Sequence, residues 1–121
     1  MLEPEPSSVS KARRYCEACL TAWDAVELVD TVSLLVSELV TNVVLHAGTA
    51  CELRLERGRR LRVEVVDGST SRPVRGLVQP DANSGRGLLL VESLSADSGT
   101  VVEADGKRVW FEMDWEPTPP S

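Results

Sequence analysis

The sequence has no uninterrupted run of about 18 apolar residues, so no membrane span is expected. It has no basic excess either. Its 13 Lys and Arg stand against 19 Asp and Glu, a net charge of −6. An acidic surface disfavours non-specific binding to nucleic acid or to anionic membranes, both of which require basic patches. Cysteine is scarce. Three of them, an odd number in a chain of 121 residues that needs no covalent staples, read as free thiols in a reducing, cytoplasmic compartment. The opening Met1-Leu2-Glu3-Pro4-Glu5-Pro6 is acidic and Pro-rich, unlike the basic-then-apolar order of a signal peptide. No internal repeat occurs. There is also no GxxxxGK(S/T) sequence, which excludes a P-loop.

What is present suffices for one domain: 42% of the residues are hydrophobic, and a chain of this size buries roughly two-thirds of its unfolded surface. The expected domain spans residues 7–115, with residues 1–6 and 116–121 as flexible termini too Pro-rich for regular structure. Ser7 or Ser8 is placed to cap a first helix running to about Trp23, with Val9, Ala12, Cys16, Cys19, Leu20 and Trp23 as its apolar stripe. A second helix is expected from near Val26 to about His46, ended by Gly48. Its wide apolar face comprises Leu28, Val32, Leu35, Val36, Leu39, Val40 and Val43.

Beyond Gly48 the period changes to two. Cys51, Leu53 and Leu55 alternate with charged residues, Arg57-Gly58-Arg59 turns the chain, and Leu61, Val63 and Val65 alternate again, which makes a hairpin. Residues 68–84 are rich in Gly, Pro, Ser, Arg and Asn and read as a long loop, a feature that is usually functional in a small domain. A third helix is expected from Gly87 to about Ala96. A second hairpin follows, from Thr100 to Glu103 and from Lys107 to Trp115, turning at Asp105-Gly106. The order ααββαββ predicts an α+β, two-layer sandwich, with three helices on one face of a mostly antiparallel sheet.

Three constellations could carry chemistry. Glu38 and Asn42 are four apart, hence one turn apart on one helix face. A carboxylate plus a neutral amide oxygen suits Mg²⁺ that takes its other ligands from phosphate and water. It also suits a carboxylate that orients a hydroxyl for attack on phosphorus. The same spacing is equally that of a plain polar stripe. Asp67-Gly68-Ser69 ends an apolar strand. The Asp either caps a turn or, half-buried, accepts a hydrogen bond from an exocyclic amine such as adenine's. Gly85-Arg86-Gly87 precedes a helix, where backbone N–H groups can approach a phosphate. It follows a loop rather than a strand, and Leu90 stands where a dinucleotide fingerprint has its third glycine, so a Rossmann reading fails.

The order of the three says more than any one of them. ExxxN on a helix, a strand ending in Asp-Gly, a long loop and then GxG opening a helix resembles the ATP site of the Bergerat-fold, histidine kinase-like ATPases, and more closely their small anti-sigma-factor serine kinases. Ser33 to Ala47 looks like the N box, Val63 to Ser69 the first glycine box, Gly85 to Val91 the second, and Gly106 to Glu112 the final strand.

The resemblance implies ATP and Mg²⁺ as cofactors, Asn42 as the Mg²⁺ ligand and Glu38 as the catalytic base. It also implies a nucleotide site drawn from Asn42, His46, Asp67, Gly68, Ser69, Gly85, Arg86, Gly87 and Leu88, with Asp67 receiving the adenine amine and the 68–84 loop acting as a lid. The implied activity is serine/threonine phosphorylation of a STAS-type anti-anti-sigma protein by a domain that also sequesters a sigma factor, and a homodimer is compatible with it. Two departures stand out: Asp67-Gly68-Ser69-Thr70-Ser71 replaces Asp-x-Gly-x-Gly, and Arg108 stands where many relatives carry a Thr near the adenine. A nucleotide-binding interaction module without catalysis is the alternative. A sensor histidine kinase would need a helix pair with a phosphoacceptor His.

Cys16-Glu17-Ala18-Cys19 is a CxxC in mid-helix on the apolar stripe, where Cys packs as a small hydrophobe. A redox CxxC opens a helix instead. Trp23, Trp110 and Trp115 read as core or interface anchors.

Overall fold

The computed structural model describes residues 2–68, 89–104 and 106–115. Helix α1 spans Ser7–Ala22. A 3₁₀ turn, Val26–Leu28, leads into α2, Val29–Asn42, which continues into a π-helical turn, Val43–Ala47. Strands β1 (Cys51–Arg57) and β2 (Leu61–Asp67) form the first hairpin. Residues 89–94 are helical (α3), and β3 (Asp97–Glu103) and β4 (Gly106–Met113) form the second hairpin. The four strands make one antiparallel sheet in the order β1-β2-β4-β3. This is the α+β architecture read from the sequence.

The core follows from two periodicities meeting. Ala12, Cys16 and Leu20 recur every fourth residue on α1, and Val32, Leu35, Val36, Leu39, Val40 and Val43 form the buried face of α2. They pack in one cluster with Leu61, Val63 and Val65 of β2, Val91 of α3, and Val109 and Phe111 of β4. The helical stretch Val26–Ala47 is, by length and composition, apolar enough to cross a membrane. Its apolar face is instead built into this cluster, as in the core helix of a globular domain. The chain leaves the helix at Gly48, whose φ of 65° lies in the left-handed region and whose N–H bonds the Val43 carbonyl.

Three details differ from the sequence reading. Neither Ser7 nor Ser8 caps α1; both lie inside its first turn, and the buried Ser8 hydroxyl donates to the Glu3 carbonyl at 2.6 Å. The start of the chain is tied down despite its prolines, because Leu2 and Cys51 exchange two backbone hydrogen bonds of 2.7 and 2.8 Å as an antiparallel bridge on β1. Strand β3 begins at Asp97, not Thr100. Polar and small residues there are held by pairing with β4, Gly99 opposite Trp110, and a Cβ on Gly99 would come within 2.8 Å of the indole.

The face of the sheet away from the core is charged. Glu64 is buried on it, with Arg62 Nε at 2.7 Å, Arg108 Nε at 3.6 Å and Arg54 also paired to it. The Arg62 guanidinium lies 4.3 Å from the Trp110 ring centroid, a cation–π contact. At the hairpin end, Trp115 meets Trp23 edge-on at 6.1 Å and donates its indole N–H to the Gly58 carbonyl.

Cys16 is fully buried and Cys19 partly so. Burial, then the neighbouring Cys19, pushes the Cys16 thiol up to about 12, and burial, then the Asp67 carboxylate, pushes Cys51 up to about 11. Both thiols therefore stay protonated in the fold while those of the unfolded chain ionise from about pH 8.5. The unfolded state then holds fewer protons, so stability falls as pH rises through that range. The urea midpoint is expected to drop between pH 8 and pH 10, less so in Cys16→Ala. A midpoint unchanged or raised at pH 10 would contradict this account.

Candidate functional site

Alternation along β2 places Leu61, Val63, Val65 and Asp67 on the core-facing side, so the strand ends in a carboxylate that is 4% exposed. The next N–H, of Gly68, donates to Thr49 Oγ1 at 3.1 Å. Thr49 lies just past Gly48, which ends the helix that carries Glu38, Asn42 and His46. The contact therefore brings the outgoing end of that helix to the Asp67-Gly68 end of the sheet.

Glu38 and Asn42 are both half-buried, one turn apart, and His46 is exposed in the π-helical turn. Of the residues expected at the site, Ser69, Gly85, Arg86, Gly87 and Leu88 lie outside the described residues, as does the lid beyond Gly68.

The final strand closes on this end from the other side. Gly106 opens β4 so close to β2 that a Cβ there would stand 2.2 Å from the Asp67 carbonyl oxygen, against backbone that cannot swing away. Only a glycine fits. Directly opposite Asp67 in register is Lys107, whose Nζ lies 3.6 Å from Asp67 Oδ2, with the two side chains 13% and 1% exposed.

This corrects the reading of Arg108. It pairs with Val66, one residue out of phase with Asp67, and so projects to the opposite face of the sheet. There it binds Glu64 and, at 3.2 Å, Glu103. The side chain beside the adenine-facing candidate is Lys107, which the sequence reading missed. Pairing the two strands by their alternation, Val65 with Val109 and hence Asp67 with Lys107, is the signal that would have found it. Thr49 was missed too, and its signal is tertiary.

Among the described residues no three His, Cys, Asp or Glu side chains gather as a ready metal cluster. A cation held by Asn42 and Glu38 would thus draw most of its shell from phosphate and water, as Mg²⁺ does in nucleotide sites.

Residues 2–113 match the model of the histidine kinase-like ATPase domain. The chain belongs to that family. Among solved structures, it is similar to the histidine kinase domain of a blue-light activated histidine kinase from Erythrobacter litoralis, at 27% sequence identity and a TM-score of 0.56. That similarity covers 74% of this chain and 46% of the other, so this chain spans less than half of that protein's length. Comparison with curated proteins returned no match. Histidine kinase-like ATPase domains bind ATP, typically with Mg²⁺, which places this chain among ATP-binding domains of the kinase and ATPase class.

Proposed function

We propose that this histidine kinase-like ATPase domain is a cytoplasmic, anti-sigma-type serine/threonine kinase. It transfers the γ-phosphoryl group of ATP to a STAS-type anti-anti-sigma protein and also holds a sigma factor. The observation that carries the reading is the half-buried Glu38–Asn42 pair on a helix whose outgoing end is bonded, through Thr49, to the strand end bearing Asp67. The sequence around that pair, Ser33 to Ala47, supports the anti-sigma assignment by resemblance.

In this reading Asp67 accepts from the base, and the Asn42 amide oxygen holds Mg²⁺, which when bound neutralises charge on the phosphates. Glu38 accepts the proton of the attacking serine hydroxyl. The serine oxygen bonds to the γ-phosphorus as the bond to the ADP oxygen breaks, and ADP leaves.

A second reading, a nucleotide-binding interaction module without catalysis, draws on the Lys107 ammonium beside Asp67 and on the altered glycine box. Transfer of γ-phosphoryl label from ATP to a purified anti-anti-sigma protein separates the two. Label on its serine supports the kinase, whereas ATP and sigma-factor binding without label supports the module. Asn42→Ala is expected to abolish the Mg²⁺ dependence of ATP binding and weaken affinity by about tenfold, the scale of one charge-assisted contact. Calorimetry with and without the metal checks this, and an undiminished metal dependence would remove Asn42 from the site.

A further inference from the structure

Lys107 lies beside the Asp67 carboxylate, and it is held there by the fold. The two residues face each other across adjacent strands, where Cβ atoms of opposed residues stand about 4.5–5.5 Å apart. Gly106 locks the start of β4 against the Asp67 backbone, so the strand cannot carry Lys107 away. With Nζ 3.6 Å from Oδ2 and both side chains largely enclosed, the pair presents two opposite hydrogen-bonding characters side by side. An ionised carboxylate offers acceptors alone, and an ammonium offers three donors and no acceptor.

That juxtaposition changes what a purine edge meets. A lone carboxylate suits a 6-amino group and repels a 6-oxo group, because two acceptors then face each other. With Lys107 beside it, both edges are served. On a 6-aminopurine, Asp67 accepts from the amine while Lys107 donates to ring N1. On a 6-oxopurine, Lys107 donates to the oxo group while Asp67 accepts from N1–H. The flexible four-carbon stem of Lys lets one ammonium serve either position.

We propose that Lys107 is a specificity-determining residue that opens the site to 6-oxopurine as well as 6-aminopurine nucleoside triphosphates. This rests on the reading in which Asp67 faces the base.

The test uses ATP and ITP, which differ at the 6-position and the adjoining N1, titrated in the presence of Mg²⁺ into the full chain by calorimetry. Wild type is expected to bind ITP within about tenfold of ATP, whereas Lys107→Thr and Lys107→Met should worsen ITP relative to ATP by at least about tenfold, the cost of facing two acceptors. Lys107→Arg, which keeps the donor and the charge, should hold the ratio near wild type and guards against a loss due to folding alone. ATP binding with an ITP-to-ATP ratio unmoved by Thr and Met overturns the inference and leaves the nucleotide site standing. Binding of neither nucleotide by wild type overturns both.

Discussion

Replacing Glu38 by Gln is expected to lower phosphoryl transfer by about 10²–10⁴-fold, the contribution of a positioned general base, while ATP affinity changes no more than a few-fold. The amide matches the carboxylate in shape, so the half-buried site on α2 stays filled, but it cannot take up the hydroxyl proton. Single-turnover transfer of γ-phosphoryl label to a purified anti-anti-sigma protein, the acceptor in the proposed reaction, with calorimetry on the same preparation, separates chemistry from binding. Transfer at the wild-type rate would exclude Glu38 as the base. Loss of ATP binding together with transfer would make it a binding residue.

The largest effect on stability is expected at Phe111. It is fully buried, pairs with Val63 of β2 on one side and Ser98 of β3 on the other, and belongs to the cluster that joins the sheet to all three helices. Phe111→Ala should cost about 3–5 kcal/mol, from lost transfer energy and the cavity left behind, and lower the melting temperature by roughly ten degrees or more. Its neighbour Trp110 points to the other face, where it supports the Arg62 guanidinium. Trp110→Ala should therefore cost well under half as much. Denaturant melts of the two variants decide the matter, and equal losses would mean that the two faces are not energetically distinct.

Much of this fold can be read from spacing alone. The broad apolar face of α2 predicts every residue named for it as buried, and the stripe of α1 predicts Ala12, Cys16 and Leu20 but leaves Val9, Cys19 and Trp23 half-buried, because burial of a helix face depends on local period. The alternation of Cys51 to Leu55 and of Leu61 to Val65 does the same for the first hairpin. What escaped is set by contacts distant in sequence. Asp97, Ser98 and Gly99 have no strand propensity of their own and are extended because β4 supplies their partners. The 3₁₀ and π turns at the two ends of α2 reflect how the helix is joined to its neighbours, which no periodicity records.

The residue types of the candidate site are legible in the sequence, whereas the strand register beside Asp67 is not. Asp67, Glu38 and Asn42 stand out by chemistry. The choice between Lys107 and Arg108 as Asp67's neighbour depends on a one-residue phase that only the strand pairing decides, and a slip of one moves a side chain through the sheet.

The bridge between Leu2 and Cys51 has a consequence for how the molecule can be addressed from outside. Cys51 is paired with Asp67, Asp67 with Lys107, and Lys107 with Val102. A single transverse row thus runs Leu2, Cys51, Asp67, Lys107, Val102, from one rim of the described sheet to the other. With strands about 4.8 Å apart, the carboxylate–ammonium pair at its middle is never more than two rungs from a rim. Pulling Leu2 off its rung, or laying a foreign strand along Val102, acts on the same ladder that holds the Asp67–Lys107 pair in place.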